Sequence, residues 1–348
     1  MYCKVLFLNS NFVWDQDMPS HTNCFAHVRG GARGLLMALG VALGLPAPAQ
    51  NYPVKPVRLV APFPAGGSSD LIARIVAQRL SEGFSNQVIV ENRPGAGSNL
   101  GVQIASRAAP DGYTLLITSV TAAINVTLFK NPGYDLMKDF APIAKLAVGP
   151  TALVVHPSLP VQTVPQFIKL ALSRPGQLNY GSGGVGTPAH ICGEMLRVMA
   201  KVNIAHVPYK GTGQSVTDLM AGQIQFVFAS MPVVFPHMKT ARLRALAVTG
   251  AQRTPLAPNL PTVAESGLAG YAFDTWWGLV TNTGVPQPII NTLSTEVRRI
   301  QQLPDVKERF ADLGIDVLQG SPAELASFTR AEIDRFAKII RDTGIRAE

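Results

Sequence analysis

Two glycine-rich segments combine the residue types that bind a small anion. Residues 63–70 read FPAGGSSD and residues 180–190 read YGSGGVGTPAH, each before a predicted helix. In the second segment, Thr187 is the predicted N-cap and Pro188 the first helical residue. Such a turn presents backbone N–H groups and hydroxyls at a helix start, where the first N–H groups lack partners and the helix dipole favours an anion. Both segments are therefore predicted to cradle a carboxylate or a phosphate.

The second segment also matches the dinucleotide-binding pattern G-x-G-x-x-G through Gly181, Gly183 and Gly186. A dinucleotide fold expects an acidic residue about 20 residues further on, where it holds the ribose. Residues 204–211 (IAHVPYKG) contain no acid. The pattern therefore gives little support to a nicotinamide or flavin enzyme, and we expect no cofactor.

Other catalytic patterns are absent from the sequence. It contains no G-x-x-x-x-G-K-[ST] and no Ser within G-x-S-x-G, and its six His show no metal-binding spacing. Nucleotide hydrolysis has no support, an α/β-hydrolase is disfavoured, and no metal site is expected. Cys192 lies on the apolar side of a predicted helix with Ile191, Met195 and Met199, which favours a core thiol over a nucleophile.

The elements that position these segments alternate between strand and helix. Residues 57–63 form a predicted buried strand, and residues 69–80 carry apolar side chains at helical spacing. Further strands are predicted at 87–91, 113–118, 153–156, 204–209, 224–229, 243–249, 273–281 and 315–318. A last helix is predicted from the capping box Ser321–Glu324, with Gly344 at its end. Apolar strands between helices indicate mainly parallel sheets with flanking helices, an α/β fold. So many strands favour two lobes, with linkers near 148–150 and 252–270.

The chain begins with a predicted leader. Residues 29–34 are charged, residues 35–45 are apolar, and small residues precede a predicted cleavage site after Ala49. This apolar stretch is too short to span a bilayer, so residues 29–49 are predicted to be a signal peptide, with a buried core helix as the alternative. Residues 1–28 fit neither a signal nor a fold, and we expect that the start site has been assigned too far upstream.

Composition limits the class of partner. Charged residues make up 15% of the 348-residue chain, and the formal net charge is +8. The basic balance favours an anionic partner without identifying it. Removing residues 1–49 would leave Cys192 as the only cysteine, so no internal disulfide could form. An exported chain without disulfides indicates a bacterial periplasm.

Several motifs together resemble one family. They are VRLVAPFPAGGSSD, VIVENRPGAGSNLG, PDGYTLL, YGSGGVGTPAH, VPYKG, LRALAVT, PTVAESG and WWGLV. The sequence resembles the Bug family of periplasmic solute-binding proteins, the receptors of tripartite tricarboxylate transporters, from about Tyr52 to Ile345. The resemblance implies a type II, two-lobed "Venus flytrap" that binds a small carboxylic acid without covalent chemistry.

The resemblance also implies the domain organisation and the partners. Residues 50–150 and 272–348 would form one lobe, and residues 151–271 the other. The ligand would be a di- or tricarboxylate or a related organic anion, delivered to the membrane subunits of the transporter. We expect a monomer that binds no nucleic acid. A ligand-binding sensor for a signalling partner and an exported hydrolase are the alternatives.

By similarity, the ligand-binding residues fall in five loops. They are Ala65, Gly66, Gly67, Ser69 and Asp70; Thr118, Ser119 and Thr121; Ser182, Gly183, Gly186, Thr187 and His190; Tyr209, Lys210 and Gly211; and Ala229. Many relatives carry Asp-Asn where this chain has Ala229-Ser230, so a ligand with an ammonium group is disfavoured.

Three of these residues have equally simple structural explanations. Asp70 would stabilise the first turn of its helix without any ligand. His190 would be a packed residue bonded to the backbone, and Lys210 a solvated loop lysine. Trp276 and Trp277 are expected to be structural, and one of them near the cleft could report ligand closure.

Overall fold

The computed structural model describes residues 52–347, and the predicted leader lies outside this described part. The helices are α1 (Ser68–Phe84), α2 (Asn99–Ser106), α3 (Val120–Leu128), α4 (Val164–Ser173), α5 (Pro188–Met199), α6 (Thr212–Met220), α7 (Met231–Lys239), α8 (Gln287–Gln302), α9 (Pro304–Asp312) and α10 (Pro322–Thr343). The strands are β1 (Val57–Ala61), β2 (Val88–Asn92), β3 (Thr114–Ser119), β4 (Phe140–Val155), β5 (Asn179–Ser182), β6 (Ala205–Pro208), β7 (Phe226–Ser230), β8 (Arg244–Val248), β9 (Asp274–Asn282) and β10 (Asp316–Val317). Among the described residues, no helix is long and apolar enough to cross a membrane.

The first and last helices follow directly from local sequence. Helix α1 buries Ile72, Ile75, Val76 and Leu80, which recur at the spacing of one helix face. Helix α10 starts at a capping box. The Ser321 hydroxyl accepts a hydrogen bond from Glu324 N, and the Glu324 carboxylate accepts one from Ser321 N. Both helices were predicted from these patterns, and both are confirmed.

The strands form two sheets that share β4. The first sheet has the order β2-β1-β3-β9-β4, with β10 on β4, and the second has the order β4-β7-β5-β6, with β8 on β4. Strands β1, β2 and β3 pair in parallel, as do β5, β6 and β7. Strands β4 and β9 instead pair antiparallel with their neighbours. The chain runs from the first sheet to the second along β4 and returns along β9, so the expected parallel order holds only away from these crossings.

Strand β4 is much longer than the sequence indicated. The prediction covered only 153–156, whereas the strand begins at Phe140. Its earlier part contains Pro142, which lies where the pairing with β9 shifts register, so its missing N–H group interrupts no regular ladder. Pairing with β9 ends at Pro150, and pairing with β7 begins at Thr151. The predicted linker at 148–150 is therefore continuous strand.

Helices cover both faces of the first sheet. Leu59 and Leu115 face a cluster built with α1, α8 and α9. Their neighbours Val60 and Leu116 face the opposite cluster, which includes α3 and α10. Burial on both faces explains why these strands read as continuous apolar runs. The core therefore holds the strand ends, and the loops that follow them, in fixed positions.

Candidate ligand-binding site

Five helices begin beside one cavity of about 330 Å³. Their N-cap residues are Gly67 (α1), Ser119 (α3), Thr187 (α5), Gly211 (α6) and Ser230 (α7), and all of them line the cavity. These helices follow β1, β3, β5, β6 and β7 along the chain. Ligands of open α/β sheets bind outside the carboxyl ends of the strands. The topology therefore gathers the positive ends of five helix dipoles around one space.

None of these five helix starts is capped by a side chain of its N-cap residue within the described chain. In contrast, the Thr163 side chain caps α4 and the Ser321 side chain caps α10, both away from the cavity. Helix-start N–H groups need a partner from a side chain, water or a ligand. The uncapped starts at the cavity therefore suit an anionic ligand.

The cavity wall combines small polar and apolar side chains. The remaining lining residues are Phe63, Pro64, Ala65, Ser68, Ser69, Thr121, Pro188, Ala189, Thr212, Gly213, Gln214, Thr217, Phe228, Val233, Thr275 and Trp277. None of the described residues that line the cavity carries an ionisable side chain. The electrostatic attraction for an anion therefore comes from backbone dipoles rather than from a positively charged side chain.

Part of the sequence-predicted set meets at this cavity. Ala65, Gly67, Ser69, Ser119, Thr121, Thr187 and Gly211 line it, whereas Gly66, Asp70, Thr118, Ser182, Gly183, Gly186, His190, Tyr209, Lys210 and Ala229 do not. Sequence reasoning missed Ser230, although a Ser two residues before a Pro, after an apolar strand, is a helix-start signal. Thr275 and Trp277 carried no such signal, because β9 brings them to the cavity from a distant part of the chain.

Asp70 stabilises the first glycine-rich loop without lining the cavity. Its buried carboxylate accepts hydrogen bonds from Gly66 N at 2.9 Å, Asn92 Nδ2 at 2.9 Å and Arg74 Nε at 3.0 Å. Burial alone would raise the pKa of Asp70, but these hydrogen bonds together hold it below its usual value. Asp70 therefore fixes the shape of the loop that presents Gly67 to the cavity.

A pair of histidines supports the second loop. Ser182 Oγ lies 2.6 Å from His206 Nε2 and accepts a hydrogen bond from Gly184 N at 3.0 Å. His190 Nδ1 accepts from Gly186 N at 3.3 Å, and its ring centroid lies 4.6 Å from that of His206. Burial, and then the neighbouring His206, lower the pKa of His190 to about 4, so it is neutral at pH 7. These side chains hold the loop rather than face the cavity.

Glycine is required at one turn of this loop. Gly186 has φ +81°, and a Cβ there would lie 2.1 Å from Asn125 Oδ1. The next residue, Thr187, turns its hydroxyl back to donate to Gly184 O at 2.6 Å. The Thr187 hydroxyl therefore bonds to a carbonyl group of the loop instead of capping α5. The backbone N–H groups at the start of α5 are left to face the cavity.

A direct contact crosses the cleft between loops of the two sheets. Ser68 Oγ, beside β1, lies 2.5 Å from Ser230 Oγ, at the end of β7. Within the first side of the cavity, Trp277 Nε1 donates to Ser69 Oγ at 3.3 Å. The structure thus has the two sides of the cavity in contact, as expected for a closed arrangement.

Thr118 and Ala229 lie within strands. Thr118 pairs with Gly278 across β3 and β9, and its buried hydroxyl has no hydrogen-bond partner among the described residues. Ala229 pairs with Ala152 and packs in the core of the second sheet. Neither residue lines the cavity.

Comparison with known proteins now assigns the family. Residues 72–345 match the family described as "Tripartite tricarboxylate transporter family receptor". The chain belongs to this family. Protein BugT of Bordetella pertussis is similar to this receptor, with 32% identity over 319 residues that cover 90% of this chain and 98% of BugT. The predicted family is confirmed, and with it the assignment as a solute-binding receptor.

Solved structures show the same fold. An R. palustris protein solved with adipate has a TM-score of 0.83 and 33% identity, covering 85% of this chain and 99% of its own. The periplasmic binding protein BugD has a TM-score of 0.82 and 29% identity, covering 85% and 100%. MatC from Rhodopseudomonas palustris, solved with malate, has a TM-score of 0.80 and 30% identity, covering 83% and 100%. The receptor therefore has the predicted two-lobed α/β fold of periplasmic binding proteins.

A second cavity of about 570 Å³ lies in the receptor beside the first, and Phe63 lines both. Its other walls come from residues 94–98, Phe129, residues 183–185 and residues 209–210. Gly183, Tyr209 and Lys210 of the predicted set are therefore found here. The Tyr209 hydroxyl donates to Asp218 Oδ2 at 2.8 Å and thus points toward α6, the helix that follows its loop.

Within residues 52–347 the receptor contains no group of three or more His, Cys, Asp or Glu that could hold a metal ion. Cys192 is buried in the core as predicted, and burial raises the pKa of its thiol. The described lining of the ligand cavity offers backbone N–H groups, hydroxyls and apolar side chains.

Proposed function

We propose that this receptor captures a small di- or tricarboxylic acid, or a related organic anion, and delivers it to the membrane subunits of a tripartite tricarboxylate transporter. The observation that carries the proposal is the convergence of five uncapped helix starts on one cavity. Relatives solved with adipate and with malate support the same ligand class.

The helix starts are distributed over both sides of the cleft. Helices α1 and α3 follow strands of the first sheet, and α5, α6 and α7 follow strands of the second. A dicarboxylate with one group toward each side would hold the closed arrangement together. A micromolar Kd corresponds to about −8 kcal/mol. Each partly buried helix start contributes up to ~2 kcal/mol, so hydrogen bonds to the ligand must add to these dipoles and offset the cost of closure.

The cavity disfavours ligands with a positive charge. An ammonium group needs an acceptor of negative charge, and the described lining residues include no Asp or Glu. Helix starts would also repel a cation. We therefore propose that amino acids bind far more weakly than dicarboxylates of similar length.

The absence of ionisable lining side chains among the described residues also argues against the hydrolase alternative. The cavity contains serine and threonine hydroxyls, but a nucleophilic hydroxyl needs an adjacent base. His190 and His206 lie behind the second loop rather than in the lining. Binding without turnover is the proposal that these residues support.

The lobe boundaries and the location belong to the same proposal. Residues 50–150 and 272–348 would form one lobe and residues 151–271 the other, supported by the exchange of partners of β4 between Pro150 and Thr151. We further propose that residues 29–49 direct export to the periplasm, where the receptor acts as a monomer. Membership of a family of periplasmic receptors supports this location.

The test is calorimetry and thermal melting of the exported protein with succinate, malate, adipate, citrate and glutamate. We expect at least one of the acids to bind in the micromolar range, raise the melting temperature and change the fluorescence of Trp277, with glutamate much weaker. Mass spectrometry of ligand retained on native purification would identify the natural acid. A flat response to all di- and tricarboxylates, or turnover of one of them, would overturn the proposal.

A further inference from the structure

Two loops meet across the cleft outside the ligand cavity. Residues 95–98 follow β2 of the first sheet, and residues 184–186 follow β5 of the second. A Cβ added at Gly184 would lie 3.7 Å from Gly97 Cα, and a Cβ added at Gly97 would overlap the carbonyl oxygen of Val185. Neither loop contributes a residue to the lining of the ligand cavity. This contact therefore joins the two sides of the cleft away from the ligand.

The first of these loops has an unusual backbone. Ala96 has φ +47°, Gly97 has φ +59° and Ser98 has φ +82°. Residues other than glycine keep such left-handed conformations only where the surrounding structure imposes them. The shape of this loop is therefore held by its contacts rather than by its own conformational preference.

Asn125 of helix α3 supplies these contacts. Its side chain is buried, and Nδ2 donates hydrogen bonds to Gly97 O at 2.9 Å and to Asn99 Oδ1 at 2.8 Å. The Tyr134 hydroxyl donates to the same Asn99 oxygen at 3.0 Å. Because Gly97 and Asn99 flank Ser98, the Asn125 amide holds the left-handed turn on both sides of that residue.

The same side chain also reaches the second loop. Gly186 packs so closely on Asn125 that a Cβ there would overlap Asn125 Oδ1. The next residue, Thr187, is the N-cap of α5 and lines the ligand cavity. Helix α3, which carries Asn125, also starts at this cavity, with Ser119 as its N-cap. Asn125 thus connects a helix start on one side of the cleft to a helix start on the other.

We propose that Asn125 is a positioning residue that latches the cleft over a bound ligand, by shaping residues 95–98 and by contacting Gly186. This inference rests on the proposed function and extends it to the release of the ligand. Asn125 does not line the ligand cavity, so it acts on the opening of the cleft rather than on the ligand itself. Since the latch forms after the ligand has entered, its loss should change dissociation and not association.

The test is stopped-flow fluorescence of Trp277 with malate and with adipate, on the wild-type receptor, Asn125→Ala and Gly97→Ala. Asn125→Ala removes the amide that shapes the loop, whereas Gly97→Ala adds a methyl group that overlaps Val185 O only when the cleft is closed. We expect each variant to raise the dissociation rate constant about tenfold and to leave the association rate constant within about twofold.

Gly222→Ala is the matched control for Gly97→Ala. Gly222 has φ +73°, and a Cβ there would meet no atom within 4 Å. Both alanines adopt a left-handed backbone, so the contact across the cleft is what distinguishes them. Melting temperatures without ligand show which variants are folded, and Gly97→Ala decides the matter if Asn125→Ala does not fold.

The outcomes separate this inference from the proposed function. If the wild-type receptor binds neither acid, the proposed function fails, and the latch fails with it. If the wild type binds but dissociation is unchanged in the folded variants, or is matched by Gly222→Ala, the latch is wrong and the proposed function stands. A fall in the association rate constant as large as the rise in dissociation would indicate a distorted ligand cavity and would also overturn the latch.

Discussion

Gly211 and Pro64 approach each other closely across the cavity. Gly211, the N-cap of α6, has extended backbone with φ −179°, which any residue can adopt. A Cβ at this position would lie 2.7 Å from Pro64 Cγ and 3.1 Å from Pro64 Cδ. Pro64 belongs to the loop after β1, on the opposite side of the cavity. Gly211→Ala therefore introduces a clash that exists only when the cleft is closed.

The size of the effect follows from the contact distances. Carbon atoms in ordinary contact lie about 3.5–4.0 Å apart, so one side must retreat by close to an ångström. Overpacking of this kind costs about 1–3 kcal/mol, which corresponds to a rise in ligand Kd of roughly 5- to 150-fold. The alanine keeps the N–H group at the start of α6. The melting temperature of the unliganded protein should therefore change little.

A second substitution isolates the clash. Pro64→Ala removes Cγ and Cδ and leaves the Pro64 Cβ position 3.7 Å from the new methyl, an ordinary contact. Calorimetry on both single variants and the double variant would measure the coupling. We expect Gly211→Ala to cost much less affinity in the Pro64→Ala background. An equal loss in both backgrounds, or no loss in either, would refute the steric explanation.

Three further predictions concern the supporting residues and the charge of the site. Asp70→Asn should lower the free energy of unfolding by about 2–4 kcal/mol in denaturant melts, whereas Asp312→Asn, at an exposed residue, should not. As the pH falls below the usual histidine pKa of about 6.5, the unfolded chain binds a proton that His190 does not accept until about pH 4. Wild-type stability should therefore fall across this window more steeply than that of His190→Asn, and parallel curves would contradict this. Ligand affinity should stay within about threefold between pH 6 and 9 and between 0.02 and 0.5 M salt, because among the described residues no ionisable side chain lines the cavity at the five helix starts.

The parts of the site that could be predicted from sequence are those that depend on residues adjacent along the chain. A glycine-rich turn before a helix is a property of adjacent residues, so the segments that contain Gly67 and Thr187 were recognised without a structure. Helices α1 and α10 were predicted for the same reason, from spacing and capping residues. Strand β4 was largely missed, because Pro142 and Pro150 argue locally against a strand that its neighbours stabilise.

The direction in which each side chain points could not be predicted from the sequence. Asp70 and His190 stand in the right loops, but their partners Asn92 and His206 come from other strands. Those partners turn both side chains toward the supporting structure. Thr275 reaches the cavity only because β9 returns beside β4, an arrangement set by the whole topology. Sequence reasoning thus identified the loops better than the individual contacts.

An uncharged site suits a receptor that must release what it binds. A buried ion pair between the ligand and a lysine or arginine would carry a large desolvation cost and lose several kcal/mol if only one partner left. Helix starts avoid this, because their N–H groups return to water when the cleft opens. Since α1 and α3 lie on one side and α5, α6 and α7 on the other, the full set acts together only in the closed form. Opening the cleft would separate the two groups of helix starts, so the same movement that admits the ligand would also release it.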